Sequence, residues 1–270
     1  MDPATLVGIG LAMGLFGGML GIGGSLIMIP AMVFFYGENQ HLYQSASMIC
    51  NFCVAIASLL AHHKADALVP AVLWRMIPLA VLGILAGVAL SNISFFSGRN
   101  SYLLARLFGG YLAAVAVYNA LRLFRPPMPS INGSDPRAYQ TPLLKIFSAG
   151  IGLITGLAAG LLGIGAGSVA TPMQQFFLRL PLKRAMSNSA SVIVGIAWIG
   201  AVYKTVTLPS HGIAMSESLI IAAYIIPTAL IGGFLGGHLM HLMPRQIVRG
   251  FFIAVCVAGA WKLLTVAPAG

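Results

Sequence analysis

The sequence predicts an all-α integral membrane protein of two homologous, inverted repeats, each opening with a glycine-broken helical hairpin followed by about three transmembrane helices. Of its 270 residues, 59% are hydrophobic and 7% charged, against about 25% charged in soluble domains. Several apolar stretches reach the roughly 20 residues that a helix needs to cross a hydrocarbon core of about 30 Å. A glycine-rich run, GIGLAMGLFGGMLGIGGS over 8–25, recurs without a gap as GIGLITGLAAGLLGIGAG over 150–167. Continuous apolar runs, where strands of a membrane barrel would alternate, argue against a β-barrel.

The repeat divides the chain. At an offset of 142 residues, Gly8, Gly10, Gly14, Gly18, Gly21 and Gly23 meet Gly150, Gly152, Gly156, Gly160, Gly163 and Gly165, and Pro30 meets Pro172. The register runs on through Phe34, Phe35, Ser45 and Ser47 to Phe176, Phe177, Ser187 and Ser189. Further along, IPLAVLGILAG from Ile77 resembles IPTALIGGFLGG from Ile226, and Arg106 resembles Arg249. Residues 1–124 form the first membrane repeat and 143–270 the second. The intervening 125–142, rich in Pro, Ser and charge, reads as an extramembrane linker.

Helices are expected at 4–21, 25–36, 43–61, 71–91 and 102–124, then at 143–163, 167–179, 185–203, 216–238 and 245–266. The second piece of each half is too short to span, since a dozen residues rise only about 18 Å, and each carries a proline. The first helix is therefore expected to break at 21–24, or at 163–165, and to turn back as a hairpin. Straight spans would divide the fifteen Lys and Arg 8 against 7 between the faces. Turning back inverts the second half and gathers Lys64, Arg75, Arg122, Arg125, Arg137, Lys145, Arg179, Lys183, Arg184, Arg245 and Arg249 on one face, eleven of the fifteen. The positive-inside rule makes that face cytoplasmic, with the linker inside and both termini outside.

The stretch 5–20 has the length of a secretory signal but lacks a basic flank and has a counterpart in mid-chain, so it reads as mature structure. The net charge of +10 fits topology signals and snorkelling side chains, with the lipid bilayer as partner and no nucleic acid. Cys50, Cys53 and Cys256 lie in apolar segments and form no disulfide framework. Cys50 and Cys53 have a C-x-x-C spacing, yet no second pair or carboxylate completes a metal site, so packing is the favoured role and persulfide handling the minority one.

A duplicated G-x-x-x-G-x-x-G-x-G-G followed by a proline and a small-residue Ser/Thr segment resembles the TauE/SafE sulfite exporter family along essentially the whole chain. The resemblance implies a bacterial-type inner-membrane transporter of sulfite, sulfoacetate or a related sulfur-containing anion. In the second copy Ala166 replaces the last glycine and Gly167 stands opposite Ser25, so the two copies are not equivalent.

Where a helix is interrupted, freed N–H groups and the positive dipole end can hold an anion, and glycine admits positive φ and close approach. The candidate substrate-binding residues are Gly21, Gly23, Gly24 and Ser25 in the first break and Gly163, Gly165, Gly167 and Ser168 in the second. Ser47, Asn51, Gln174, Asn188 and Ser189 join them, since each is costly in hydrocarbon without a partner or cavity. Bonds to neighbouring helices are the competing role for these side chains. Gly8, Gly10, Gly14 and Gly18 read as small-residue packing positions.

All five acids, Asp2, Glu38, Asp66, Asp135 and Glu217, fall in loops, at the terminus or at a helix edge. Intramembrane carboxylates are the usual device of cation carriers and proton pumps, so an anion is expected. No catalytic residue, metal or cofactor is expected either. His62, His63 and Lys204 stand at corresponding helix ends, where interfacial anchoring is the favoured role and anion attraction or pH sensing the other. Besides alternating access, a passive anion channel and a thiosulfate- or persulfide-handling membrane protein remain open, as does assembly as monomer or homodimer.

Overall fold

The computed structural model describes residues 1–20, 23–63, 68–96, 98–123, 141–242 and 245–266, and among these there is no strand. The helices are α1 (Pro3–Leu20), α2 (Ser25–Tyr36), α3 (Gln40–His63), α4 (Pro70–Ser91), α5 (Tyr102–Leu123), α6 (Pro142–Leu162), α7 (Gly167–Phe177), α8 (Leu182–Thr207), α9 (Met215–Leu242) and α10 (Arg245–Leu264). The sequence boundaries hold within a few residues, and α6 starts at the last residue of the range read as linker. The rest of that linker, apart from Thr141, lies outside the described residues.

Five of these helices give apolar spans long enough to cross a membrane, at Pro70–Ser91, Tyr102–Arg122, Pro142–Leu162, Arg184–His211 and Met215–Gly236. The largest apolar side chains face outward, with Trp74 81%, Phe234 78% and Trp261 74% exposed. Such surface is stable against lipid and unstable against water, so the chain is a multi-pass membrane protein.

Both short helices turn back. Tyr36 at the end of α2 donates its hydroxyl to Asp2 O at 3.0 Å, beside the start of α1, and Gly24 lies against Met13 and Gly17. In the second half the Phe177 ring, at the end of α7, sits 5.2 Å from that of Phe147, near the start of α6. Pro30 and Pro172 are accommodated inside α2 and α7.

Glycines set how the hairpins dock. A Cβ on Gly10, Gly14 or Gly18 of α1 would strike α9 backbone at Ile225, Ala229 and Gly233 respectively. Likewise a Cβ on Gly152, Gly156 or Gly160 of α6 would strike α4 at Met76, Ala80 and Ile84. Each seam advances in the same direction on both helices, so α1 runs parallel to α9 and α6 parallel to α4. Helices in lipid gain little from hydrophobic burial and associate through close van der Waals packing, which small residues permit. Gly8 is the exception among the four packing positions, because nothing lies within 4 Å of its Cβ direction.

Helices α5 and α10 pair antiparallel through reciprocal arginines. Arg106 donates Nε and Nη2 to Val266 O at 3.2 and 3.1 Å, and Arg249 donates Nη1 to Arg122 O at 3.1 Å. Each guanidinium satisfies a carbonyl at the C-terminal end of the other helix. Helices α3 and α8 fill the middle, also antiparallel, with Ser45 Oγ 2.7 Å from Thr205 Oγ1 and Met48 beside Gly200.

Gly14→Leu and Gly156→Leu should each destabilise the detergent-solubilised protein by about 1–3 kcal/mol or more through overpacking, whereas Gly8→Leu should be neutral. Thermal unfolding followed by size-exclusion chromatography checks the contrast.

Candidate functional site

The two breaks meet. Gly23, with φ +84°, lies where its missing Cβ would be 3.1 Å from Gly165 Cα and 3.4 Å from Asn51 Oδ1. A side chain here would be strained by the backbone and blocked by the opposite break. Ser25, wholly buried as the first residue of α2, accepts the Gly165 N–H at 2.7 Å on its Oγ. Gly163 ends α6 in the left-handed region at φ 73° and donates its N–H to Ala159 O at 2.9 Å. It lies against Gln44 so closely that a Cβ would overlap that residue.

The carbonyls exposed by the second break are claimed by side chains. Gln44 Nε2 donates to Leu161 O at 2.8 Å, Ser47 Oγ to Gly163 O at 2.7 Å, and Ser168 Oγ to Gly165 O at 3.0 Å. Tyr111 from α5 donates its hydroxyl to Ser168 Oγ at 2.8 Å. The helix starts are treated differently: Gly24 and Ala166, the N-cap residues of α2 and α7, bring no side-chain cap. The first N–H groups of a helix have no acceptor within it. The N–H groups of Ile27, Ser168 and Val169 fold back onto Gly24, Gly165 and Ala166 O, and the starts of α2 and α7 direct two positive dipole ends at the break.

A cavity lies against this junction, lined by Asn51, Ile164, Gly165 and Ala166 with Met48 and Ile193 among its apolar walls. Its volume, about 10 Å³ for the centre of a water-sized sphere, is about what one water occupies. Asn51, 3% exposed, leaves its Oδ1 without a partner. An unpartnered carboxamide at a cavity wall can turn either its amide or its oxygen to a ligand.

Of the residues singled out in the sequence, Gly23, Ser25, Ser47, Asn51, Gly163, Gly165 and Ser168 form one connected group. Gly24 and Gly167 flank it as the buried starts of α2 and α7. Gly21 lies outside the described residues. Gln174 and Ser189 meet each other, Nε2 to Oγ at 3.1 Å, with Thr171 Oγ1 donating to Ser189 Oγ at 2.9 Å. Asn188 accepts the Val69 N–H at 2.9 Å on Oδ1 and so ties α8 to the start of α4. Gln44, Tyr111 and Thr171 were not singled out. The signal for Gln44 was its place one turn before Ser47 on α3, whereas nothing marked Tyr111 or Thr171.

One reading is corrected. Lys204 is no interfacial anchor: it is wholly buried, and its Nζ is bonded by His41, Ser91 and Asn92. The side chains of His62 and His63 lie outside the described set. Cys50 and Cys256 are buried and Cys53 half-buried, all as free thiols, and no cluster of metal-binding side chains occurs among the described residues.

A family model described as sulfite exporter TauE/SafE matches residues 6–263. The probable membrane transporter protein MamO of Paramagnetospirillum magneticum is 27% identical over 286 residues, covering 98% of this chain and 45% of that protein. The chain therefore spans about half the length of that relative. The probable membrane transporter protein YunE of Bacillus subtilis is 24% identical over 265 residues, 92% of each chain. Another probable membrane transporter protein, MJ0441 of Methanocaldococcus jannaschii, is 26% identical over 245 residues, 84% of each. No solved structure matches.

Removing the Ser25 hydroxyl leaves the buried Gly165 N–H without its acceptor. Ser25→Ala should cost about 1–3 kcal/mol, and denaturant unfolding of the solubilised protein, with Ser25→Thr as the hydroxyl-retaining control, reads it.

Proposed function

The chain belongs to the sulfite exporter TauE/SafE family of membrane transporters, and on that premise we propose that it carries a small sulfur-containing anion, sulfite or an organosulfonate such as sulfoacetate. The anion is bound at the helix breaks, near the bilayer midplane, and reached alternately from either face of a bacterial-type inner membrane. The observation that carries this reading is the convergence of two helix starts, with their positive dipole ends, on one junction. Carbonyls of the second break are occupied by Gln44, Ser47 and Ser168, and α2 and α7 both start at the junction with no side-chain cap. An oxyanion offers acceptors only, so it complements such a site without bringing a proton.

Gly23, Gly24 and Gly167 offer backbone N–H groups to the anion, a role the sequence also gives to Gly21, while Gly163 and Gly165 let the two breaks approach closely. Ser47 and Ser168 hold the carbonyls of the break, Ser25 keeps its hydroxyl hydrogen and Asn51 its amide for the anion, and Gln174, Asn188 and Ser189 form the more polar flank of the second half. The antiparallel pairing of corresponding helices, α3 with α8 and α5 with α10, supports an inverted pair of halves, in which the hairpins enter from opposite faces.

Replacing Gly23 or Gly165 by leucine should abolish anion flux while leaving membrane insertion intact. Uptake of labelled sulfite into proteoliposomes, with sulfate, thiosulfate and organosulfonates as competitors, measures it; undiminished flux in both variants would refute the site. For orientation, a reporter inserted at Asn132 should behave as cytoplasmic and one at either terminus as external.

A further inference from the structure

Lys204 lies in the last turn of α8, wholly buried. Its Nζ reaches His41 Nδ1 at 2.8 Å, Ser91 Oγ at 2.8 Å and Asn92 Oδ1 at 2.7 Å. Each of these groups spends its own hydrogen elsewhere. His41 Nε2 bonds Phe96 O at 2.9 Å, the Ser91 hydroxyl donates to Val88 O at 2.8 Å, and Asn92 Nδ2 donates to Thr207 Oγ1 at 2.9 Å. With Nε2 as the donor to Phe96, His41 is left with an Nδ1 lone pair. Three lone pairs therefore converge on one nitrogen, and only an ammonium, with three hydrogens and no acceptor, uses them all.

No carboxylate among the described residues bonds this ammonium. Glu38, three residues before His41, directs Oε2 to Ser101 Oγ at 3.0 Å and Oε1 to Gln40 N at 3.3 Å. The other titratable neighbour is His211, whose ring stacks on His41 at 3.8 Å and whose Nε2 lies 3.2 Å from Asn92 Oδ1. A buried charge held by neutral dipoles alone is a poor way to stabilise a fold, since apolar packing generally does as well. Its field, unscreened by a counter-ion, extends to whatever lies nearby.

What lies nearby is a polar face of α3. Gln40, Gln44, Ser47 and Asn51 follow one another at helical spacing on one side, all buried, from beside His41 to the break. Gln44 and Ser47 touch Gly163, and Asn51 touches Gly23. Both amide atoms of Gln40 have no partner, and the Gln44 Oε1 and Asn51 Oδ1 are acceptors without one, while Gln44 Nε2 and the Ser47 hydroxyl are held by Leu161 O and Gly163 O. On this face an oxyanion gains its donors from Gln40 and, once its carboxamide turns, from Asn51. One turn of helix, a rise of about 4.5 Å for three residues, separates His41 from Gln44.

We propose that Lys204 is the fixed counter-charge of the anion route: an ammonium, held by His41, Ser91 and Asn92, that draws a small oxyanion along the face Gln40, Gln44, Ser47 and Asn51 toward the break. It rests on the transport reading above and adds the residue that makes the route anion-selective. Because the three acceptors suit only the charged form, the device attracts anions without itself cycling a proton.

Sulfite binding to the solubilised protein by calorimetry, and sulfite flux in proteoliposomes, test it with two variants. Lys204→Gln removes the charge. Asn92→Asp keeps the lysine but gives it a carboxylate, which cancels the field while preserving a bonded, buried pair. Each should raise the half-saturating sulfite concentration about tenfold or more, the scale of electrostatic focusing in a cleft, and Asn92→Asp should retain wild-type thermal stability. A folded Asn92→Asp protein with wild-type affinity and half-saturation would overturn the role of Lys204 alone. Wild-type protein that neither binds nor moves sulfite or an organosulfonate would overturn the transport reading and this one together.

Discussion

A helix interrupted inside hydrocarbon must find partners for the backbone groups that the interruption frees, because no water is there to take them. In this protein the second break is satisfied largely by the first half of the chain. Ser25 accepts from Gly165, Gln44 and Ser47 donate to Leu161 and Gly163, and Tyr111 orients the Ser168 hydroxyl that bonds Gly165 O. The break is therefore a product of both halves. Residues 143–270 alone would leave several buried polar groups open, each costing on the order of 1–3 kcal/mol.

The glycine seams hold the breaks where they can meet. Backbone-to-backbone contact fixes α1 on α9 and α6 on α4 along three successive turns, with no long side chains to repack. A rigid seam on each side leaves the junction of Gly23 with Gly165 as the place where the hairpins touch through small residues and hydrogen bonds. That division suits a carrier, whose packed elements move as bodies around a polar centre.

The electrostatic character of the centre comes from dipoles, and the charge is held apart from it. Uncapped helix starts offer partial positive charge at the junction, while Lys204 sits a few turns away on α8 in a cage of neutral acceptors. Formal charge at the junction itself would bind an anion tightly and release it slowly. In the proposed route, dipoles at the centre and a charge along the approach would attract an anion without trapping it, as multi-site conduction and transport require.

Hydropathy and glycine spacing alone determined the helices, the two hairpins and the seam positions Gly10, Gly14 and Gly18, because length, breaks and small-residue periodicity are local properties. The residues of the break were legible for the same reason, since glycine clusters ahead of Pro30 and Pro172 mark an interrupted helix. Tertiary structure alone decided which partners those residues have. Asn188 turns its Oδ1 to the Val69 N–H and leaves its Nδ2 without a partner, and Gly8 kept the periodicity but faces open space. Lys204 looked like an anchor because a lysine at a helix end usually snorkels. Its burial depends on His41, Ser91 and Asn92, more than a hundred residues away in the chain, and no local pattern encodes a cage assembled across three helices.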